Sequence, residues 1–310
     1  MEKKILFIDT DLGGDCDDVG ALALANILKN NNLIEIAGMT HTTSLEWGPA
    51  CIDIVNRYYG NGDIQIGATK RIDYCVEGTN KYASQMADAF EHSYHNRQNV
   101  INSVELMRKV LSESEDNSIT FVCIGQLGDA SDLLDSEADC YSPLNGVELV
   151  RQKVKEFVIM GGLFKEDKNE KVMFCGYEYS TEYNIVCDVK SARNFIEKVP
   201  VKVVFNDFKV GYQIHTAGPL LDQKDMTHPV TFSYTIFQNH PRESWDLLTV
   251  WYAAMELDDI FSISSNGHID ILEDGTTLFN PNIQSNHYYI RLNATDTYVV
   301  DKINNVLGGK

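Results

Sequence analysis

The stretch Ile5-Leu6-Phe7-Ile8-Asp9-Thr10-Asp11-Leu12-Gly13-Gly14-Asp15-Cys16-Asp17-Asp18 runs from an apolar segment straight into five carboxylates within ten residues. A short apolar run of this kind reads as a buried strand, and a helical pattern from about Asp17 to Lys29 follows it. The acids therefore stand at the carboxyl end of a first strand and the start of a first helix. In an open α/β sheet that edge is where ligands bind. Packed carboxylates repel one another unless a cation or strong donors compensate. A helix N-terminus stabilises one acid by roughly 0.3–1 kcal/mol, too little for the whole cluster. Carboxylates and backbone carbonyls are the donors that calcium or magnesium prefers. Gly13-Gly14 permits a turn tight enough to bring Asp11 and Asp18 toward a common point. For any single acid a plainer role stays open, with Asp15 or Asp17 capping the helix and the rest solvated.

Outward from this loop, β-type runs alternate with helical patterns. Ile34–Met39, Ile64–Ile66, Ile119–Ile124, Phe157–Met160 and Val201–Phe205 continue the strands, with a helix through Ala50–Val55 and helical segments between most of the others. Alternation of this kind predicts an α/β fold with a Rossmann-like core: a mostly parallel central sheet flanked by helices on both faces. The last fifty residues change character. Asn266-Gly267, Asp274-Gly275 and Asn280-Pro281 are turn signals between short β-like runs, which predicts a small antiparallel C-terminal addition. No repeat, low-complexity linker or charge block interrupts the chain, so one domain over residues 1–310 is expected.

Composition narrows the partners. The chain has 310 residues, 44% of them hydrophobic and 23% charged, enough apolar material for a large core. Lys+Arg 26 against Asp+Glu 45 gives a net charge of −19, which argues against nucleic acid or an anionic membrane as the main partner. The run Ile5–Ile8 is much shorter than a signal-peptide core, and no stretch approaches the roughly 20 apolar residues of a membrane helix. Cys16, Cys51, Cys75, Cys123, Cys140, Cys175 and Cys187 are scattered and lack CxxC spacing, so they read as reduced thiols. A cytoplasmic location is the expectation.

The acidic loop, continued into Val19-Gly20-Ala21-Leu22-Ala23-Leu24, resembles the amino-terminal signature of the inosine–uridine type nucleoside hydrolases. The resemblance continues in order along most of the chain. Ile119–Gly125 followed by Leu127 is similar to the strand and turn that the family writes as Gly-Pro-Leu-Thr-Asn, and Phe157–Gly162 to its Met-Gly-Gly strand end. Glu182-Tyr183-Asn184-Ile185, with Asp188 after it, resembles the Glu-Phe-Asn segment that holds the sugar, and Ser244-Trp245-Asp246 the late motif whose Asp returns to the metal.

The resemblance implies a calcium-dependent hydrolase that cleaves the N-glycosidic bond of ribonucleosides to ribose and free base. It implies Asp11, Asp18 and Asp246 as calcium ligands with the backbone carbonyl of Gly128 as a fourth, and Asp11 as the base that takes a proton from water. Asp17, Glu182, Asn184 and Asp246 would grip the ribose hydroxyls. This loop is two residues longer than the common family form, so Asp15 competes with the Asp17-Asp18 pair. Trp245 stands where many members place a His, which is similar to the purine-preferring branch, where an indole stacks on the base; core packing is its other reading. His240, six residues before Asp246, could serve as an acid or be a solvated loop residue. The family's Asn after the second strand has no counterpart in Thr42–Trp47, and Trp47 and Tyr82 could line the base pocket or simply pack. The resemblance further implies a homo-oligomer, dimer or tetramer. Two other functions fit parts of the pattern. One is a calcium-dependent pentose- or nucleoside-binding protein without turnover. The other is an aspartyl phosphatase of the haloacid dehalogenase type with Asp9 as nucleophile, although Leu12-Gly13-Gly14 lacks the hydroxyl that class carries.

Overall fold

Lys4–Thr10 (β1) is buried along its last five residues and lies inside a nine-stranded sheet. The computed structural model of the chain describes residues 3–75, 81–165, 171–174 and 176–309. The other strands of this sheet are Ile34–His41 (β2), Ile66–Ala68 (β3), Ile101–Asn102 (β4), Ile119–Cys123 (β5), Val154–Met160 (β6), Lys202–Asn206 (β7), Phe261–Ile263 (β8) and His287–Leu292 (β9). They run in the spatial order β8-β9-β7-β6-β5-β1-β2-β3-β4, parallel throughout except for β8 against β9. The expected mostly parallel α/β sheet is what the chain forms.

Alternation along the strands divides the core between the two faces. Leu6 and Ile8 pack with Val122, Val158 and Val204 on one side, and Phe7 with Phe121, Phe157 and Phe205 on the other. On that second face Phe7 and Phe121 sit opposite each other in register with ring centroids 4.8 Å apart, and Phe121 and Phe157 at 5.1 Å. Aromatic pairs at such spacings contribute about 0.5–1.5 kcal/mol beyond the area they bury. Gly38 on β2 makes room for this row, since a Cβ there would meet the Phe7 ring at 2.8 Å.

Four helices position the site: Asp17–Asn30 (α1), Gly128–Asp135 (α2), Tyr183–Cys187 (α3) and Trp245–Met255 (α4). Helices α1 and α4 are apolar nearly all round after their first turns and are buried along most of their length, as such a pattern requires. They pack closely at Gly20, where a Cβ would meet the Tyr234 hydroxyl at 2.6 Å and Leu247 Cδ1 at 3.0 Å. That close approach brings the acidic first turn of α1 against the first turn of α4.

The carboxyl-terminal region forms the expected antiparallel piece, His268–Ile271 against Thr277–Asn280, and the latter strand also pairs in parallel with Phe164–Lys165. Its flanking strands β8 and β9 instead extend the main sheet, so this region is partly continuous with the core rather than wholly appended. Six described cysteines are free thiols; Cys175 lies outside the described residues. Among the described residues no helix is long and apolar enough to cross a membrane.

Candidate active site

A cavity of about 650 Å³ opens at the carboxyl edge of the sheet. Its floor is made by Asp11 from the loop after β1, by Asp17 and Asp18 from the first turn of α1 and by Asp246 from α4; Ile124 and Met160 come from the ends of β5 and β6. Thr181, Glu182, Tyr183 and Asn184 form one wall, and Tyr179, Phe208 and Trp245 make another that is aromatic. Phe208 stacks on Trp245 with centroids 5.4 Å apart and an interplanar angle of 24°, and Tyr179 lies 5.1 Å from Phe208. The Trp245 indole N–H donates to the Phe208 carbonyl at 2.8 Å, which holds the ring in place.

Asp17, Asp18 and Asp246 each offer a carboxylate oxygen within 4.8 Å of the others, and all three are buried. Residues some 229 positions apart thus meet directly: the backbone N–H of Asp246, free at the start of α4, donates to Asp17 Oδ2 at 3.2 Å. The Thr10 hydroxyl donates to Asp18 Oδ1. Burial raises all three carboxyls well above the usual carboxylate range. Mutual repulsion adds to it, from Asp15 on Asp17, from Asp11 and Asp17 on Asp18, and from Asp17 and Asp18 on Asp246. Three oxygen anions converging in a dry site favour a hard divalent cation, so the donor set fits a metal of the calcium or magnesium kind.

Asp11 lines the same pocket but stands beside this triad; the third carboxylate of the tight group is Asp17. Asp11 Oδ2 accepts from Gln126 Nε2 at 2.7 Å. Burial pushes its carboxyl up to about 6, with the Gln126 bond pulling the other way and Asp15 adding repulsion. Glu182 and Asn184 are both buried in the wall. Glu182 also caps α3, its Oε1 accepting from the N–H of Asn184 at 2.7 Å and its Oε2 from Ile185 at 3.0 Å and Gly162 at 3.1 Å. Gly128 is buried at the start of α2, and its carbonyl faces Arg71, whose Nη2 lies 3.3 Å away. Gly128 is not among the pocket's lining residues; from that turn the pocket receives Ile124. His240 is exposed, its Nδ1 2.9 Å from the Pro241 carbonyl. Tyr82 and Trp47 pack into the core away from the lining, and the Tyr82 hydroxyl donates to the Asp15 carbonyl at 2.8 Å. Asp9 is fully buried beneath the loop, accepting from the Thr40 hydroxyl at 2.6 Å, and does not line the pocket.

Three residues to which the motifs assign no role shape the acidic loop. Arg242 Nε donates to Asp15 Oδ1 at 2.9 Å and Oδ2 at 3.0 Å, while its guanidinium carbon sits 5.2 Å from the Trp245 ring centroid. Asp15 is thereby committed to a cation from the chain itself, although it remains on the pocket rim. His41, fully buried, places Nε2 2.9 Å from the Leu12 carbonyl, and burial pushes its imidazole down to about 4. Gln126 is the third. None carries a local signal, because each acts on residues at least 29 positions away.

The raised carboxyls imply a pH dependence with a definite sign. Burial holds Asp11 at about 6 and both Glu182 and Asp129 at about 7, above their ordinary values of 3.8, 4.5 and 3.8. A group raised on folding contributes stability that is complete below its ordinary value and lost as pH climbs through the raised one. For Glu182 alone that loss is on the order of 3 kcal/mol, at 1.36 kcal/mol per unit. Calorimetry in chelator is expected to give a lower melting temperature at pH 8 than at pH 5. A hard divalent cation that binds the carboxylates needs them ionised, so it is expected to raise the melting temperature more at pH 8.

A buried carboxylate triad beside an aromatic wall, at the strand ends of a parallel sheet, defines a small-molecule site of the carboxylate–metal class on an α/β fold. The profile of the inosine-uridine preferring nucleoside hydrolases matches residues 6–305, and the chain belongs to that family. It is a hydrolase acting on N-glycosyl compounds. No curated protein matches the chain by sequence. Solved structures share its fold. An inosine-uridine preferring nucleoside hydrolase from Bacillus anthracis superposes with a TM-score of 0.73 at 16% identity, covering 100% of both chains. A purine-preferring ribonucleoside hydrolase from Gardnerella vaginalis gives 0.71 at 14% identity, covering 98% of each. An inosine-guanosine nucleoside hydrolase gives 0.71 at 16% identity, over 98% of this chain and 99% of that one.

Proposed function

We propose that this protein hydrolyses the N-glycosidic bond of purine ribonucleosides in a calcium-dependent reaction. The observation that carries the proposal is the meeting of Asp17, Asp18 and Asp246 within 4.8 Å on the floor of an aromatic-walled pocket. Asp18 and Asp246 would hold the ion, with Asp17 and Asp11 at its edge. Bound there, calcium supplies an oxygen-seeking charge that orders water and vicinal sugar hydroxyls. Asp11 is the base: Gln126 occupies Oδ2, which leaves Oδ1 to take the proton of an attacking water. Asp17, Glu182, Asn184 and Asp246 face the ribose, and their oxygens stabilise positive charge that develops at the anomeric centre. The turned-away carbonyl of Gly128 gives it no part in this scheme.

Purine preference is supported by the size of the aromatic wall, in which Phe208 and Trp245 present fused and stacked π surface to a leaving base. Two structural neighbours named for purine nucleosides point the same way. By the family resemblance the protein acts as one domain in a dimer or tetramer in the cytoplasm. Reducing-sugar release from a nucleoside panel tests the proposal. Inosine and guanosine are expected to be cleaved faster than uridine with calcium and not at all after rigorous chelation; a calcium-loaded protein that cleaves none overturns it.

A binding protein without turnover is the second reading, and one observation favours it. Among the described residues lining the pocket there is no His or Lys to protonate the base, and Arg242 is already paired with Asp15. Calorimetric binding of ribose or inosine without product identifies that case. The buried position of Asp9 disfavours a phosphatase, whose nucleophile has to face the substrate.

A further inference from the structure

We propose that Gln126 is a positioning residue whose side-chain amide locks Asp11 and Asn184 together behind the pocket, an inference that rests on the hydrolase function proposed above. Gln126 follows β5 and is 1% exposed. Its Nε2 donates to Asp11 Oδ2 at 2.7 Å and to Asn184 Oδ1 at 3.3 Å. It thereby joins three segments of chain: the loop after β1, the turn after β5, and α3. The turn is held close by Gly125, where a Cβ would meet the Asp11 backbone N at 2.8 Å and Asp11 Cβ at 2.9 Å.

Two physical arguments make this more than packing. Asp11 lies beside a triad of like charges, and a carboxylate so placed rotates away unless a donor holds it. Gln126, which does not itself line the cavity, supplies that donor, so one carboxylate oxygen of the pocket-lining Asp11 is pinned. Its Oε1, moreover, is buried without a partner among the described residues. An apolar side chain of the same volume would avoid that cost, so the donor end of the amide is what the position gains from a glutamine. Gln126 touches no substrate in this scheme and acts through Asp11 and Asn184.

The test uses the full-length protein with calcium. Gln126→Leu removes the donor at similar volume and is expected to lower kcat for inosine at least tenfold through Asp11 and to weaken sugar binding about tenfold through Asn184. In an Asp11→Asn background the same change is expected to lower kcat less than twofold further, which a merely structural role would not produce. Gln126→Met serves if the Leu variant fails to fold, with melting temperature as the control. Activity within twofold of wild type, or losses that multiply in the double variant, overturns the proposal. Should the wild type cleave no nucleoside, the functional proposal fails, and ribose affinity by calorimetry decides for Gln126. A tenfold weakening in Gln126→Leu sustains the positioning role; an unchanged affinity, or no ribose binding by the wild type, rejects it.

Discussion

Replacing Asp11 by Asn is expected to reduce kcat for inosine by about 10²–10⁴, the usual worth of a positioned general base. The amide keeps the volume and can still pack against Gln126, so the fold survives, but it cannot take a proton. Asp11 lies outside the tight carboxylate triad, so calcium affinity in Asp11→Asn is expected to fall much less than activity. Steady-state kinetics beside calorimetric calcium titration checks this. Equal losses in both would show Asp11 to be a metal ligand first and a base second. Retention of activity within tenfold would remove it from the chemistry.

Asp246→Asn is expected to act with opposite signs on binding and on stability. Its carboxylate completes the triad from the far end of the chain, so calcium affinity is expected to fall more than 100-fold, beyond the 10–100-fold typical of a lost supporting partner. Nucleoside hydrolysis is expected to fall with it. Without calcium, however, the variant is expected to melt higher than the wild type by roughly 2–4 °C. The reason is that burial and the facing Asp17, Asp18 and Asp11 make the native carboxyl costly to ionise, and an amide escapes that cost. The backbone N–H of residue 246 still donates to Asp17, so the start of α4 is preserved. Paired melting curves in calcium and in chelator check the crossover. A variant less stable than wild type in chelator would mean that the acids are not held against repulsion.

What the sequence made legible, and what it did not, follows one physical division. Asp17 and Asp18 were legible because crowding of acids after an apolar strand is a local pattern with one economical explanation. Asp246, Glu182 and Asn184 were legible through motif order, and all line the same cavity. Most of the strands from β1 to β7 were equally open as short apolar runs bounded by turns, whereas the two-residue β4 at Ile101–Asn102 carried no such signal. Interactions made by residues distant in sequence left no such trace. Gln126 stands where the family motif has Pro, and only the folded chain brings its amide to Asp11. Arg242 answers the uncertainty over Asp15 by pairing with it across 227 positions. Gly128 matches its motif in order, yet its carbonyl points to Arg71, because a short motif constrains a turn's position better than its carbonyl directions. In the last fifty residues the turn signals marked the hairpin near Asp274-Gly275 but not the parallel pairing of β9 with β7, whose register partners lie 84 positions apart at Val203 and His287.

Anomalous diffraction from crystals grown in calcium tests the central claim most directly. The account predicts a single strong calcium peak coordinated by Asp18 and Asp246, with Asp17 or Asp11 completing the carboxylate shell. A site that binds no calcium at millimolar concentration, or a peak held by other residues, would contradict it.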